Sequence, residues 1–353
     1  MTGDLSREFI TVRLVKCNGL DLSLFQFDCD LTFAVFFFNA DRTLYARYGT
    51  RSRRDADKDV SLEGLAATMR EVLLLHSDYP ANAASLAGKQ PVAVSHLTPE
   101  VYPSLSEFKA KLEYEGRVAS SCIHCHQIRD AQRNVIREQE KSIPDSLMFP
   151  FPSAETIGLS FDKQTRSTVI VAKNSAAESA GLKSGDEIDF FNSQKIASES
   201  DLRWALDRLN DEKSVPVVVN HREARVELTL QLPKDWRSRD EISWRPTTWD
   251  LRRMATGGMV LKPATDSQRA ALGISATQMA LIADHVGQFN NHARAKEAGL
   301  QKGDVILEFD RRDDFINESG LLAYGLQQKK PGDEVAIKYW RSGKTHTTKI
   351  KLQ

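Results

Sequence analysis

The chain has 353 residues, with 48 basic and 48 acidic side chains and an apolar fraction of 41%. That is the composition of a soluble globular protein of about two to three domains. A formal net charge of zero gives no electrostatic footprint for nucleic acid or an anionic membrane surface. The longest apolar run, Leu31–Phe38, is far too short to span a bilayer.

From the N terminus, Phe9–Val15 predicts a strand rich in β-branched residues. Leu31–Phe38 is apolar on both faces, as a central strand covered on both sides would be. Asn39-Ala40-Asp41-Arg42 makes a turn, and Thr43–Tyr48 returns as a hairpin strand. Ser61 is the candidate N-cap of a helix with an apolar stripe of Leu62, Leu65, Met69, Val72 and Leu73. Cys17 and Cys29 are single cysteines beside strands and read as small buried hydrophobes. Tyr79–Tyr114, rich in Pro and Ala, reads as surface loop with one short helix around Leu105–Leu112.

The order of strand, buried strand, hairpin strand and helix, with its Phe-Phe-x-Asn-Ala-Asp-x-Thr turn, resembles the second half of a thioredoxin fold. The resemblance lacks two parts. The first strand and helix, which carry the thioredoxin active site, have no counterpart here. Asp30-Leu31-Thr32 stands where the cis-proline of that fold is expected. Thioredoxin activity is therefore carried over to no residue of this stretch.

Cys122-Ile123-His124-Cys125-His126 is the one place where thiols and imidazoles crowd together. Cys-x-x-Cys-His is the attachment pattern of c-type haem, in which Cys122 and Cys125 would add to the vinyls and His126 would ligate iron. Met148 or another histidine would then supply the sixth ligand, and no spacing favours one of them. The same cysteines could instead form a thiol–disulfide centre. A zinc site would need a second Cys/His pair at a useful spacing, and none is present. An unreactive reduced pair is the remaining reading. The segment from Ser120 to Glu140 predicts a helix capped by Ser120 or Ser121, with both thiols in its first turn, where the helix dipole favours thiolate. Four cysteines in all are too few for a disulfide framework. Met1-Thr2-Gly3-Asp4 shows no signal peptide, which weighs against haem, since haem is attached outside the cytoplasm.

The strongest signal is internal. Ala180-Gly181-Leu182-Lys183-Ser184-Gly185-Asp186-Glu187-Ile188 recurs as Ala298-Gly299-Leu300-Gln301-Lys302-Gly303-Asp304-Val305-Ile306, and the flanking helix and strands recur with it. Ala-Gly-Leu-x-x-Gly-Asp-x-Ile resembles the PDZ domains of bacterial protease-associated type. The glycines permit tight turns, and Asp186 and Asp304 suit hydrogen bonds to the backbone that follows them. The resemblance implies a carboxylate-binding loop at Ile157-Gly158-Leu159-Ser160-Phe161, and a poorer one at Leu272-Gly273-Ile274. It also implies ligand addition as a strand beside Leu159–Phe161. Side-chain choice would come from the helix Asp201–Leu209, through Trp204, Ala205 and Arg208. The alternative is that these modules only pack against the rest of the chain. Trp236, Trp244 and Trp249 make the connector too aromatic for a flexible linker, and it is expected to bury them. No Ser/His/Asp arrangement at protease spacing is visible.

Taken together, the chain resembles a bacterial family of thioredoxin/PDZ proteins, some of them selenoproteins. It does so most at Leu24–Asp28, Ser121–Asp130 and Trp249–Gly258. In that family the redox residue lies upstream of where this sequence begins. A selenocysteine codon read as a stop would produce such a beginning, and the genomic sequence upstream of Met1 decides that. The expected fold class is α+β multidomain. A partial thioredoxin-like α/β domain (1–115) leads into the Cys-x-x-Cys-His segment (116–152). A first PDZ-like β-rich module (153–233), a Trp-rich connector (234–258) and a second module (259–353) follow. The expected function is that of an adaptor binding protein C-termini or extended peptides, in extracytoplasmic redox or protein-quality work. The expected partners include no nucleic acid, and no transmembrane segment is expected. A covalent-haem electron carrier and a thiol–disulfide oxidoreductase stand as alternatives.

Overall fold

A computed structural model describes residues 5–52, 55, 58–112, 114–116, 118–222 and 224–353. The chain folds into two compact units, Met1–Ile128 with Phe149–Asp240 and Arg129–Met148 with Glu241–Gln353.

In the first unit, β1 (Val35–Phe38) and β2 (Leu44–Tyr48) pair antiparallel as the expected hairpin. Its turn is closed by Asn39 N–H to the Thr43 carbonyl (2.9 Å), with Arg42 at φ 71°. Helix α1 (Leu62–Ser77) starts at Ser61, whose hydroxyl accepts from Gly64 N–H at 3.0 Å. Its buried face is Ala66, Met69, Val72 and Leu75, packed on Phe37, Tyr45, Ala46 and Tyr48. Leu62, expected in that stripe, points to solvent. The expected strand Phe9–Val15 does not form, and Ile10 is 98% exposed. Nor is Leu31–Phe38 a strand buried on both faces, since only Val35–Phe38 is extended and only Phe37 in it is buried. β-branched composition reports fit to a half-buried pleated surface, and among the described residues no neighbouring strand offers one beyond β2. Around 105–112 the chain makes the short 3₁₀ turns Pro99–Val101 and Pro103–Leu105 in place of the expected helix. A proline at the first position starts each turn. Helix α2 (Cys125–Glu138) begins after a separate 3₁₀ turn at Val118–Ser121, so its start is Cys125 and not Ser120.

The first PDZ domain follows. β3 (Leu159–Phe161) pairs with β4 (Val169–Val171) in a two-stranded ribbon. β5 (Glu187–Phe191), β6 (Gln194–Lys195), β7 (Ser214–His221) and β8 (Ala224–Gln231) form a sheet in the order β6-β5-β7-β8. Helix α3 (Glu199–Asp207), capped by Ser198, lies before β7. Its Leu202 and Leu206 enter a core with Ile157, Leu159, Ile188, Phe191, Val217 and Trp236.

The second unit holds α4 (Thr248–Thr256), β9 (Met259–Pro263), α5 (Asp266–Leu272), β10 (Leu281–Val286), β11 (Val305–Phe309), α6 (Glu318–Gln327), β12 (Glu334–Arg341) and β13 (Lys344–Lys351). Its strands make one sheet in the order β13-β12-β11-β10-β9. The repeated Gly-Asp turns superpose in their chemistry. Gly185 and Gly303 sit at φ 95° and 94°, where a side chain is strained. Asp186 accepts from Lys183 N–H (2.9 Å) and Asp304 from Gln301 N–H (2.8 Å), so each carboxylate reaches back three residues and not forward.

Candidate peptide-binding site

The loop ahead of β3 is a 3₁₀ turn, Ala154–Ile157, capped by Ser153 and stopped by Gly158 at φ 88°. A Cβ at Gly158 would lie 2.1 Å from Ser175 Cβ, so this glycine is required by the next turn of the same domain as well as by its own dihedral. β3 then runs with alternating hydrogen bonds. Ala172 N–H donates to the Gly158 carbonyl (2.9 Å) and Asp162 N–H to the Thr168 carbonyl (3.0 Å). By the two-residue period, Ser160 also faces β4, and Leu159 and Phe161 turn their N–H and C=O groups to the opposite edge. Among the described residues those outward groups meet no hydrogen-bond partner.

Across from this edge stands α3. Glu199 faces a recess of about 120 Å³ that it lines with Leu159, Ser160 and Phe161. Burial above all, with the carboxylates of Asp59 and Glu155 adding, pushes Glu199 up to about 7, against Arg203 and a hydrogen bond from Thr50. One turn on, buried Arg203 donates from Nε and Nη2 to the Phe151 carbonyl (3.2 and 2.9 Å) and from Nη1 to the Arg51 carbonyl (2.8 Å). The helix residues expected to meet a ligand are turned elsewhere. Trp204 is buried, donates Nε1–H to Gln26 Oε1 (2.9 Å) and is covered by the Arg47 guanidinium at 4.3 Å. Arg208 also donates to Gln26, and Ala205 lies in the core. Ile157 is fully buried. The residues missed from sequence are Glu199 and Arg203, which a helix start at Ser198 would have placed on one face.

The second domain presents the equivalent edge and closes it. Gly258, at φ 90°, precedes β9 as Gly158 precedes β3. Gly287 N–H donates to its carbonyl (3.0 Å), so Met259, Leu261 and Pro263 face outward. Leu261 N–H donates to Glu318 Oε1 at 2.7 Å, the Met259 carbonyl accepts from Thr256 Oγ1 at 3.0 Å, and Pro263 has no N–H. Glu318 is itself held by Arg252 of α4 (Nε–Oε1 2.9 Å). Leu272-Gly273-Ile274, expected to be the loop here, is instead the end of α5, with Gly273 as its left-handed C-cap. The signal for the true position was Gly257-Gly258 directly before an apolar strand.

The cysteine segment is built differently from the expected single helical face. Cys122 precedes α2 and its thiol donates to the Val118 carbonyl at 3.3 Å. Cys17 N–H donates to the Ile123 carbonyl (3.0 Å), and the Asn18 side chain bridges Ser121 and Ile123. Burial pushes the Cys125 thiol up, and pushes Cys17 up to about 12 with Cys125 adding, so the expected thiolate stabilisation at Cys125 is outweighed. His126 is held below its usual value by desolvation, with His124, whose ring is parallel at 5.8 Å, adding to it. The four cysteines are free thiols, and Met148 is fully buried. Among the described residues no group of three or more His, Cys, Asp or Glu is arranged to hold a metal ion. Trp236 and Trp244 are buried as expected, whereas Trp249 is 40% exposed and stacks on His292 at 5.0 Å.

The PDZ domain family matches residues 156–232 and 271–352, and the chain therefore carries two PDZ domains. PDZ domains bind peptides and protein C-termini. Two curated relatives are probable periplasmic serine endoproteases of DegP-like type. The one from Bartonella henselae is 30% identical over 95 residues (27% of this chain, 18% of the relative), and the one from Marinomonas sp. is 30% identical over 96 (27% and 19%). The matched part thus spans under a fifth of either relative. Among solved structures, the HtrA-type protease AlgW with a decapeptide is 15% identical over 52% of this chain and 53% of its own (TM-score 0.27). The PDZ domain of EpsC from Vibrio cholerae is 18% identical over 29% and 97% (TM-score 0.18). Among the described residues no helix is long and apolar enough to cross a membrane.

Proposed function

We propose that this chain is a peptide-binding protein of periplasmic protein quality control, and that its first PDZ domain takes extended segments or C-termini along the outer edge of β3. The observation that carries this is the contrast between two equivalent strands. Leu159 and Phe161 present unpartnered backbone groups, whereas the edge of β9 is closed by Glu318 and Thr256. An added strand would complete the β3 edge and set its side chains against Glu199 and the loop at Ile157–Gly158. The second PDZ domain is then a structural module. The test is Phe161→Pro, which removes one outward N–H and leaves the bonds of Ser160 to β4. Proline is tolerated at such an edge position. Binding of C-terminal peptides should weaken about tenfold or more while the fold persists, and unchanged affinity would reject this edge.

A second reading rests on Cys122, Cys125 and His126, with Cys122 and Cys125 part-exposed and His126 at the surface. These are the donors that covalent haem c needs, and bound haem would make the chain an electron carrier. The same two thiols could otherwise exchange as a redox dithiol. A Soret band that survives denaturation, in protein from its native host, separates haem from the dithiol. For the base of the molecule, the β1–β2 hairpin followed by α1 supports the thioredoxin-like order without its catalytic half.

A further inference from the structure

β2 does not end in open solvent. The chain leaves it as Gly49-Thr50-Arg51-Ser52, and these residues run beside the same edge of β3 that the peptide reading assigns to a ligand. Arg203 Nη1 holds the Arg51 carbonyl at 2.8 Å. Ser52 donates its N–H and hydroxyl to Asp59 Oδ2 (2.5 and 2.8 Å), and Thr50 Oγ1 donates to the Asp59 carbonyl (3.3 Å). Past Asp59 the chain is fixed again, because Ser61 Oγ donates to the Lys163 carbonyl at 2.6 Å, just beyond the end of β3. The space left between Ser52, Asp59, Leu159, Phe161 and Glu199 is the recess of about 120 Å³, room for a side chain and not for a strand.

We propose that Gly49–Ser52 is a built-in strap over the groove of the first PDZ domain, which an incoming peptide must displace. The proposal rests on the peptide-binding reading of that domain. The strap fills the groove without satisfying it, since it makes no backbone hydrogen bond to Leu159 or Phe161. A peptide strand would make those bonds, so exchange of strap for ligand gains what the closed state lacks. In the closed state the strap lowers apparent affinity by the fraction of molecules in which it is open. Its anchors are few and polar: one Arg203 hydrogen bond and the bonds to Asp59. Both of its ends are tied down, at buried Tyr48 in β2 and at the start of α1, so displacement stays local.

Two measurements on the full chain test this. The first is a Ser52→Cys, Ser160→Cys double variant, oxidised mildly and mapped by mass spectrometry. A 52–160 link should form in the free protein at a rate well above that of a control pair placed at Ser52 and Lys344. No excess over the control overturns the strap. The second is fluorescence polarisation with a labelled decapeptide that has a free C-terminal Val-Val-Phe. Asp59→Ala, which releases Ser52, should bind it at least fivefold more tightly than the parent protein. Binding with equal affinity by both proteins overturns the strap and leaves the peptide site standing. Binding by neither, with the 52–160 link formed, rejects the peptide reading, and the proposal falls with it.

Discussion

Lys89 Nζ and Asp201 Oδ2 lie 2.9 Å apart with both side chains sealed from solvent. The remaining polar capacity of the pair is used. Asp201 accepts from Arg47 N–H and Ala197 N–H (both 3.1 Å), and Lys89 donates to the Tyr45 carbonyl (2.7 Å). This pair ties the N-terminal hairpin to the helix of the first PDZ domain, so the two fold as one unit.

A buried pair of this kind adds little over an apolar substitute, but breaking it strands a charge, at a cost of about 3–5 kcal/mol. Asp201→Ala should therefore lower the urea midpoint sharply, because Lys89, already held low by burial, loses the carboxylate that supports its charge. The double change Lys89→Met, Asp201→Leu should recover much of the loss. A single variant that unfolds like the parent protein would show that the pair holds nothing together.

Glu199 gives a pH dependence of definite sign. Its pKa rises from the ordinary carboxylate value, about 4.3, to about 7 in the folded protein. Between those values the folded state keeps a proton that the unfolded chain has released. Stability from this group is full below the unfolded value, is lost as pH rises through the window, and is lowest above about 7. Arg203, Asp59, Glu155 and Thr50 are the groups that face it. The melting temperature should thus fall from about pH 5 to about pH 8. Glu199→Gln should flatten part of that slope, and an identical slope in the variant would contradict the assignment.

Gly158→Val should act on stability before it acts on binding. A Cβ there meets Ser175 Cβ at 2.1 Å, and φ 88° is unfavourable for any β-branched residue. Thermal melts should show a drop of several degrees or outright unfolding, roughly what a ΔΔG above 1 kcal/mol produces. A variant that melts normally yet loses peptide would mean that the glycine serves the ligand alone.

The PDZ repeat was legible because its signal is local. Glycines at positive φ and an Asp that accepts from the backbone three residues earlier are properties of a nine-residue turn, and they need no distant partner. The ligand face of α3 was not legible. Helical periodicity groups Trp204 with Arg208, but it does not say whether that face meets β3 or Gln26. The strand expected at Phe9–Val15 failed for the same reason, since pairing depends on what lies beside it. At the cysteines, spacing gave the donor set, whereas the burial that raises Cys125 and the approach of Cys17 are tertiary facts.

The fragment Met1–Glu115 expressed alone should be poorly soluble. All of β2 is buried in the intact chain, and Arg47 and Lys89 would lose Asp201, while the exposed run from Ile10 to Val15 would remain. Size-exclusion chromatography checks this, and a monomeric fragment with a cooperative melt would refute it.

Glu318 should separate a closed second PDZ domain from a merely unoccupied one. Its carboxylate bonds Arg252 of α4 and the outward N–H of Leu261 at once, and α4 packs so closely on α6 that a Cβ at Gly325 would lie 2.9 Å from Ala255 Cβ. Glu318→Ala leaves a buried guanidinium and a buried N–H without their shared acceptor, and should cost about 3–5 kcal/mol of stability. Glu318→Gln keeps an acceptor for Leu261 but loses the charge opposite Arg252, so it should fall between parent and alanine. If the domain is structural, neither variant gains affinity for C-terminal peptides at a temperature where it remains folded. A clear gain in binding by Glu318→Gln, with Phe161→Pro also present to silence the first domain, would show that the β9 edge is a gated second site.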